Sequence, residues 1–165
     1  MKIFFALILL LLLFIFPQRV GAQELDRLQI FFYEINEEGQ ETLIYYHITI
    51  PARLSVEQRA LIIFSEIFDN HNPDKMLFAP PDVRILDVLF LPGSSHLFLN
   101  LSPDILNFGG THFEYKLIHK LLTNAAGIDS VSYLTILING QNQYFPEGSL
   151  ILNNSLHYFT APESK

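Results

Sequence analysis

Fourteen consecutive apolar residues, Ile3 to Phe16, follow Lys2 at the start of the chain. The run is shorter than the roughly 20 residues that a bilayer-spanning helix needs. Pro17 breaks the helical pattern behind it. Val20 and Ala22 then occupy the small-residue positions of a signal-peptidase site. Residues 1–22 read as a secretory signal peptide cleaved after Ala22; the alternative is an uncleaved N-terminal anchor. What must fold is therefore 165 − 22 = 143 residues, enough for one domain.

Removing the signal takes Lys2 and Arg19 from the 10 basic residues and none from the 17 acidic ones, so the net charge moves from −7 to −9. A field of that sign does not draw the chain to nucleic acid or anionic lipid, and nucleic-acid binding is excluded. The only membrane contact expected is through an uncleaved signal. Cysteine is absent. An exported chain without it has no disulfides and must be held by a hydrophobic core. Thiol catalysis, redox exchange, Cys-based zinc sites and a lipidated cysteine are excluded with it.

Two strand signals come first, Leu28–Tyr33 and Leu43–Ile50, rich in aromatic and β-branched residues. The polar, Gly-containing stretch 36–40 between them suits a hairpin loop. Ser55-Val56-Glu57-Gln58 is a capping box. After it, Ala60, Ile63, Phe64, Ile67 and Phe68 recur at helical spacing up to the Asn72-Pro73 stop. Val83–Phe90 and His96–Leu101 read as the third and fourth strands. In the fourth, Leu97, Leu99 and Leu101 alternate with His96, Phe98 and Asn100, which makes one face core. Thr111-His112-Phe113-Glu114 is a second capping box. It leads a helix with Phe113, Leu117, Leu121 and Ala125 in line and Gly127 at its C-cap, where Ile128 supplies the apolar contact. Val131–Ile138 runs into the Asn139-Gly140 hairpin signal, with Gln143-Tyr144-Phe145 as the returning strand and a fading tail from Asn153. The order β-β-α-β-β-α-β-β predicts an α+β fold: a single compact domain with a mixed β-sheet and two helices packed on one face.

Several steps along this order resemble the GerMN domain of sporulation and spore germination proteins. Ala79-Pro80-Pro81-Asp82-Val83-Arg84-Ile85-Leu86 resembles its proline, turn and strand entry, and Asn100-Leu101-Ser102-Pro103 its Asp-Leu-Ser step. Gly109-Gly110-Thr111 with Glu114, Leu117, Leu121, Leu122 and Thr123 is similar to the helix that follows. Val131 to Gly140 is similar to its closing strand and Asp-Gly turn, and Gly148-Ser149-Leu150 to the short step beyond. The departures are Asn for Asp at positions 100 and 139, and Asn72-Pro73 in place of Gly-Pro. Asn keeps the turn chemistry of Asp, because both tolerate left-handed backbone and bond their own backbone two residues on. The division that follows is a signal at 1–22, a linker at 23–27, a GerMN-like domain at 28–152 and a tail at 153–165. The resemblance implies a Gram-positive spore former and no catalytic residue.

The residues themselves carry little chemistry. His112-Phe113-Glu114 looks like a zinc-deaminase His-x-Glu, but the partner Cys-x-x-Cys cannot exist here. His112 and His119 are seven residues apart, about 10 Å along a helix, too far to share a metal. No metal site and no cofactor are expected. Glu114, read as the third helical residue, is assigned to capping and the helix dipole. Asp82, Asp87 and Asp104 are not paired in sequence. Gly93-Ser94-Ser95 lacks the second Gly of a nucleophile elbow. Gly109-Gly110 is at most a weak anion site. The expectation is thus a secreted, non-enzymatic cell-envelope protein whose partner is an envelope or spore-assembly protein. The alternative is a protein that binds or hydrolyses peptidoglycan. Tyr45, Tyr46 and Tyr144 are the candidate binding residues, since aromatic groups with polar tips suit an interface.

Overall fold

The computed structural model describes residues 24–69, 78–157 and 159. The signal peptide, its cleavage site and the Asn72-Pro73 helix stop lie outside them.

Strand β1 (Leu25–Ile35) pairs antiparallel with β2 (Glu41–Pro51) without a register shift, from Leu25↔Pro51 to Ile35↔Glu41. Leu25, Asp26 and Arg27, expected in a linker, belong to this ladder. Asn36 organises the turn: its side-chain Oδ1 accepts from the backbone N–H groups of Glu38 and Gln40, and Gly39 supplies the positive φ of +77°. Helix α1 (Val56–Ile67) begins with the expected capping box. Ser55 Oγ accepts from Gln58 N at 3.2 Å and Gln58 Oε1 accepts from Ser55 N at 2.9 Å.

The second sheet has four strands in the order β3 (Ile85–Leu91), β4 (His96–Leu101), β5 (Tyr133–Ile138) and β6 (Asn154–Ser155). The β3–β4 and β5–β6 pairs are antiparallel, and β4–β5 is parallel. A parallel pair cannot be joined by a tight turn. Helix α2 (Thr111–Ala126) makes the crossover from β4 to β5. Leu97, Leu99, Leu101, Leu134, Ile136 and Ile138 form the buried inner face. They share one core with Phe64 and Ile63 of α1, Leu117 and Leu121 of α2, and Leu28 and Ile30 of β1. The α+β class, the mixed sheet and the two helices are as expected. The first hairpin differs, because it forms a sheet of its own, hydrogen-bonded to no strand of the other.

Three local expectations are corrected. The Asn139-Gly140 turn forms, with φ of +51° and +77° and a reciprocal Ile138–Gln141 bridge. Residues 143–145, however, are not a strand. Phe145 is buried in the core, and its N–H turns back to Ser149 O at 2.8 Å. The place beside β5 goes instead to residues 151–155: Ile136 N donates to Ile151 O, and Asn154–Ser155 pair with Leu134 and Tyr133. The expected tail therefore contributes β6 and a buried Leu156. The second capping box is absent. Gly110 is the N-cap, which makes Glu114 the fourth helical residue, one position too late to reach back. Gly127 ends α2 at φ −76° and not in the left-handed conformation, while Ile128 supplies the buried contact as expected.

Candidate functional site

Tyr45 and Tyr46 are consecutive in β2, so their rings point to opposite faces of the hairpin. Tyr46 packs against the core, with its ring 5.4 Å from Phe32, and its hydroxyl donates to Glu66 Oε2 of α1 at 2.5 Å. Tyr45 lies against Phe31 and His47 at 5.7 and 5.5 Å and is half-buried. Tyr144 projects from the loop after β5 and is 65% exposed. The strand tyrosines therefore do not form one strip. Tyr45 and Tyr144 present ring surface outward, and Tyr46 anchors β2 to α1.

The outer face of the four-stranded sheet carries exposed apolar side chains. The register places Leu91 beside His96, Leu89 beside Phe98 and Asp87 beside Asn100. Across β4, His96 stands beside Tyr133 and Phe98 beside Thr135. Leu89 is 49% exposed, Leu91 42% and Tyr133 38%. His96 stacks on Phe98 with centroids 4.2 Å apart and leans on Tyr133 at 6.0 Å. Burial holds the imidazole below its ordinary pKa. Its Nε2 is 2.9 Å from Thr135 Oγ1, which also accepts from Asn153 N. A depression of about 520 Å³ beside Tyr133 is lined by Ser132, Ser155 and His157, among others. The sequence signal for this face is present but weak: Leu89, Leu91 and Phe98 are large apolar groups on the side opposite Leu97 and Leu99.

The acidic and histidine candidates are tied into structure. Glu114 is buried and accepts from Glu147 N at 2.7 Å and Ser149 N at 3.0 Å. Glu147 returns the contact, accepting from Gly110 N at 2.9 Å. A carboxylate of the chain's own thus sits at the start of α2, where Gly109-Gly110 suggested an anion site. His112 and Lys116 both reach Glu41, at 2.8 and 3.2 Å. The His112 hydrogen bond is the main influence holding that carboxyl below its usual range. His119 Nδ1 is 2.9 Å from the Tyr33 hydroxyl, whose pKa burial pushes up to about 12. The two histidines of α2 therefore serve different partners. Asp87 accepts from Val88 N and Asp104 from Ser102 Oγ, both local contacts. Ser94 lies in the 3₁₀ turn between β3 and β4, its hydroxyl bonded to Leu91 O. Among the described residues, no group of three His, Asp or Glu side chains could hold a metal ion.

No family model matches the sequence, and no curated protein is similar to it in sequence. Solved structures do match. The first GerMN domain of the sporulation protein GerM from Bacillus subtilis superposes with a TM-score of 0.55 at 17% identity, over 77% of this chain and 96% of that one. The tandem GerMN domains of the same protein give 0.57 at 12% identity, over 81% of this chain and 47% of theirs, so this chain spans about half of the tandem pair. The architecture that the scattered motifs resemble is the one the chain adopts: it has the fold of a GerMN domain.

Proposed function

We propose that the protein is exported in a spore-forming bacterium and acts without catalysis, by binding a protein of the cell envelope during sporulation or germination. The outer face of the four-stranded sheet carries this reading. Leu89, Leu91 and Tyr133 stand there exposed beside half-buried His96 and Phe98, and Asp87 is the one formal charge among the paired residues named above. Large apolar groups and aromatic groups with polar tips, on a chain of net charge −7, fit a partner that brings apolar and basic side chains. Tyr45 and Tyr144 are further candidate contacts. The likeness in fold to a sporulation protein supports the process, and the apolar N-terminus supports export.

In-cell cross-linking of the full chain in a sporulating host, followed by mass spectrometry, tests the reading. The expected outcome is an envelope partner that is lost in the Leu89→Asp, Tyr133→Ala double variant while the melting temperature is kept. The exported form is expected to begin at Gln23. Intact Met1 in the cytoplasmic fraction would refute export. Dye release from peptidoglycan, abolished by Asp104→Ala, would overturn the non-enzymatic reading.

A further inference from the structure

A β-strand edge with free N–H and C=O groups is a template for another strand, and proteins blunt such edges with charge, proline, bulges or cover. Most free edges in this molecule are blunted. Asn124 of α2 caps the outer edge of β1: its Oδ1 accepts from Phe31 N at 2.9 Å and its Nδ2 donates to Phe31 O at 2.7 Å. On β3, the register breaks between Ile85 and Asp87. Strand β6 has only two residues.

Between Thr42 and Ile50 the outer edge of β2 has none of these devices. Phe31 turns its backbone groups outward to Asn124, so its partner Tyr45 also turns its own away from β1, and Leu43, His47 and Thr49 do the same by alternation. The closing bonds Asn36 N to Gln40 O and Ala52 N to Glu24 O fit that phase. Among the described residues, no hydrogen-bond partner meets the backbone of Leu43, Tyr45, His47 or Thr49. The ladder is 11 residues long and unbulged, an edge of roughly 36 Å at about 3.3 Å per residue.

The side chains say what fits there. From Thr42 to Ile50 there is no Asp, Glu, Lys or Arg, and the carboxylate of Glu41 is engaged by His112 and Lys116. The strand is also chemically near-palindromic about Tyr46. Ile44 mirrors Ile48 and aromatic Tyr45 mirrors His47, while Leu43 and Thr49, which differ in polarity, are both uncharged. We infer that β2 pairs antiparallel with β2 of a second copy of this chain, about a two-fold axis at Tyr46, to make a continuous four-stranded sheet across the dimer. A two-fold interface requires a self-complementary patch. This register sets Tyr45 against His47, Ile44 against Ile48 and Tyr46 against itself, with no like charges opposed. The inference is independent of the partner proposed above, whose main surface is the outer face of the other sheet; only Tyr45 is common to both.

The test is the mass in solution, by light scattering across a dilution series, of protein purified from cells that express the full chain. A dimer is expected. His47→Pro removes an N–H the monomer does not use, and Thr49→Lys adds an edge charge at an exposed position. Each is expected to leave a monomer that keeps the wild-type far-ultraviolet spectrum and unfolds in one transition whose midpoint no longer depends on protein concentration. The amides of Leu43, Tyr45, His47 and Thr49 are expected to exchange slowly in the wild type and fast in Thr49→Lys. A wild type that is monomeric throughout overturns the inference. So does a dimer that survives both substitutions, or slow exchange at these amides in a monomer, which would mean that the edge is covered by its own chain.

Discussion

At the scale of the residue, Lys120 is the most unusual group, a fully buried lysine in the middle of α2. Burial disfavours its charged form and brings its pKa from 10.5 down to about 7. Between these values the unfolded chain holds a proton that the folded chain does not, so stability rises with pH across the window. Below about pH 7 both states are protonated and the contribution stays at its lowest. Tyr33, pushed up to about 12, works in the opposite direction only above its ordinary value of 10.0. His96 and His119, both lowered by burial, act below 6.5. Urea unfolding from about pH 7 to about pH 9 should therefore isolate Lys120, with a slope of at most about 1.4 kcal/mol per pH unit. Lys120→Met is expected to flatten that slope. An unchanged slope in the variant would show that another group produces it.

At the scale of the element, Asn124 joins α2 to β1 as a strand would, by taking one N–H and one C=O of a residue that is wholly buried. Asn124→Ala leaves both groups without a partner and is expected to cost about 2–4 kcal/mol in urea unfolding. Faster amide exchange at Phe31 would accompany it. A loss under about 0.5 kcal/mol would mean that the contact is dispensable. The same scale explains which motifs can be read directly. Ser55-Val56-Glu57-Gln58 and Thr111-His112-Phe113-Glu114 carry the same capping pattern, yet only the first caps a helix. Among the described residues, Gln58 meets no competing partner. Glu114 meets two N–H groups of a loop more than thirty residues away, and a buried carboxylate with two such donors outweighs one exposed cap. The Asn139-Gly140 turn is similar. Its left-handed backbone is local and was legible, but the strand expected after it was not, because Phe145 finds the core instead.

At the scale of the whole molecule, two sheets with no strand pairing between them among the described residues are joined through the helical layer and one apolar core. Leu117 sits in that core, fully buried. Leu117→Ala is expected to cost about 2–5 kcal/mol. Far-ultraviolet and tyrosine near-ultraviolet signals should fall together in one transition, whereas separate transitions would show that the hairpin is an independent unit. Element types, the α+β class and the buried face of β4 followed from periodicity and turn chemistry, which depend on neighbours in the chain. The resemblance to GerMN domains rested on the same local signals and agrees with the fold. The separation of the first hairpin into its own sheet was not legible, nor were the capture of Asn154–Ser155 by β5 and which of Tyr45 and Tyr46 meets α1. By itself, the sequence determined both helices, the first four strands and the strand into the Asn139-Gly140 turn, and which of their side chains need burial. Only the tertiary structure decided which strand edges pair, which polar groups meet and which apolar face stays uncovered. Those outcomes depend on distant residues competing for the same backbone groups and the same core volume, and chain order records neither competition.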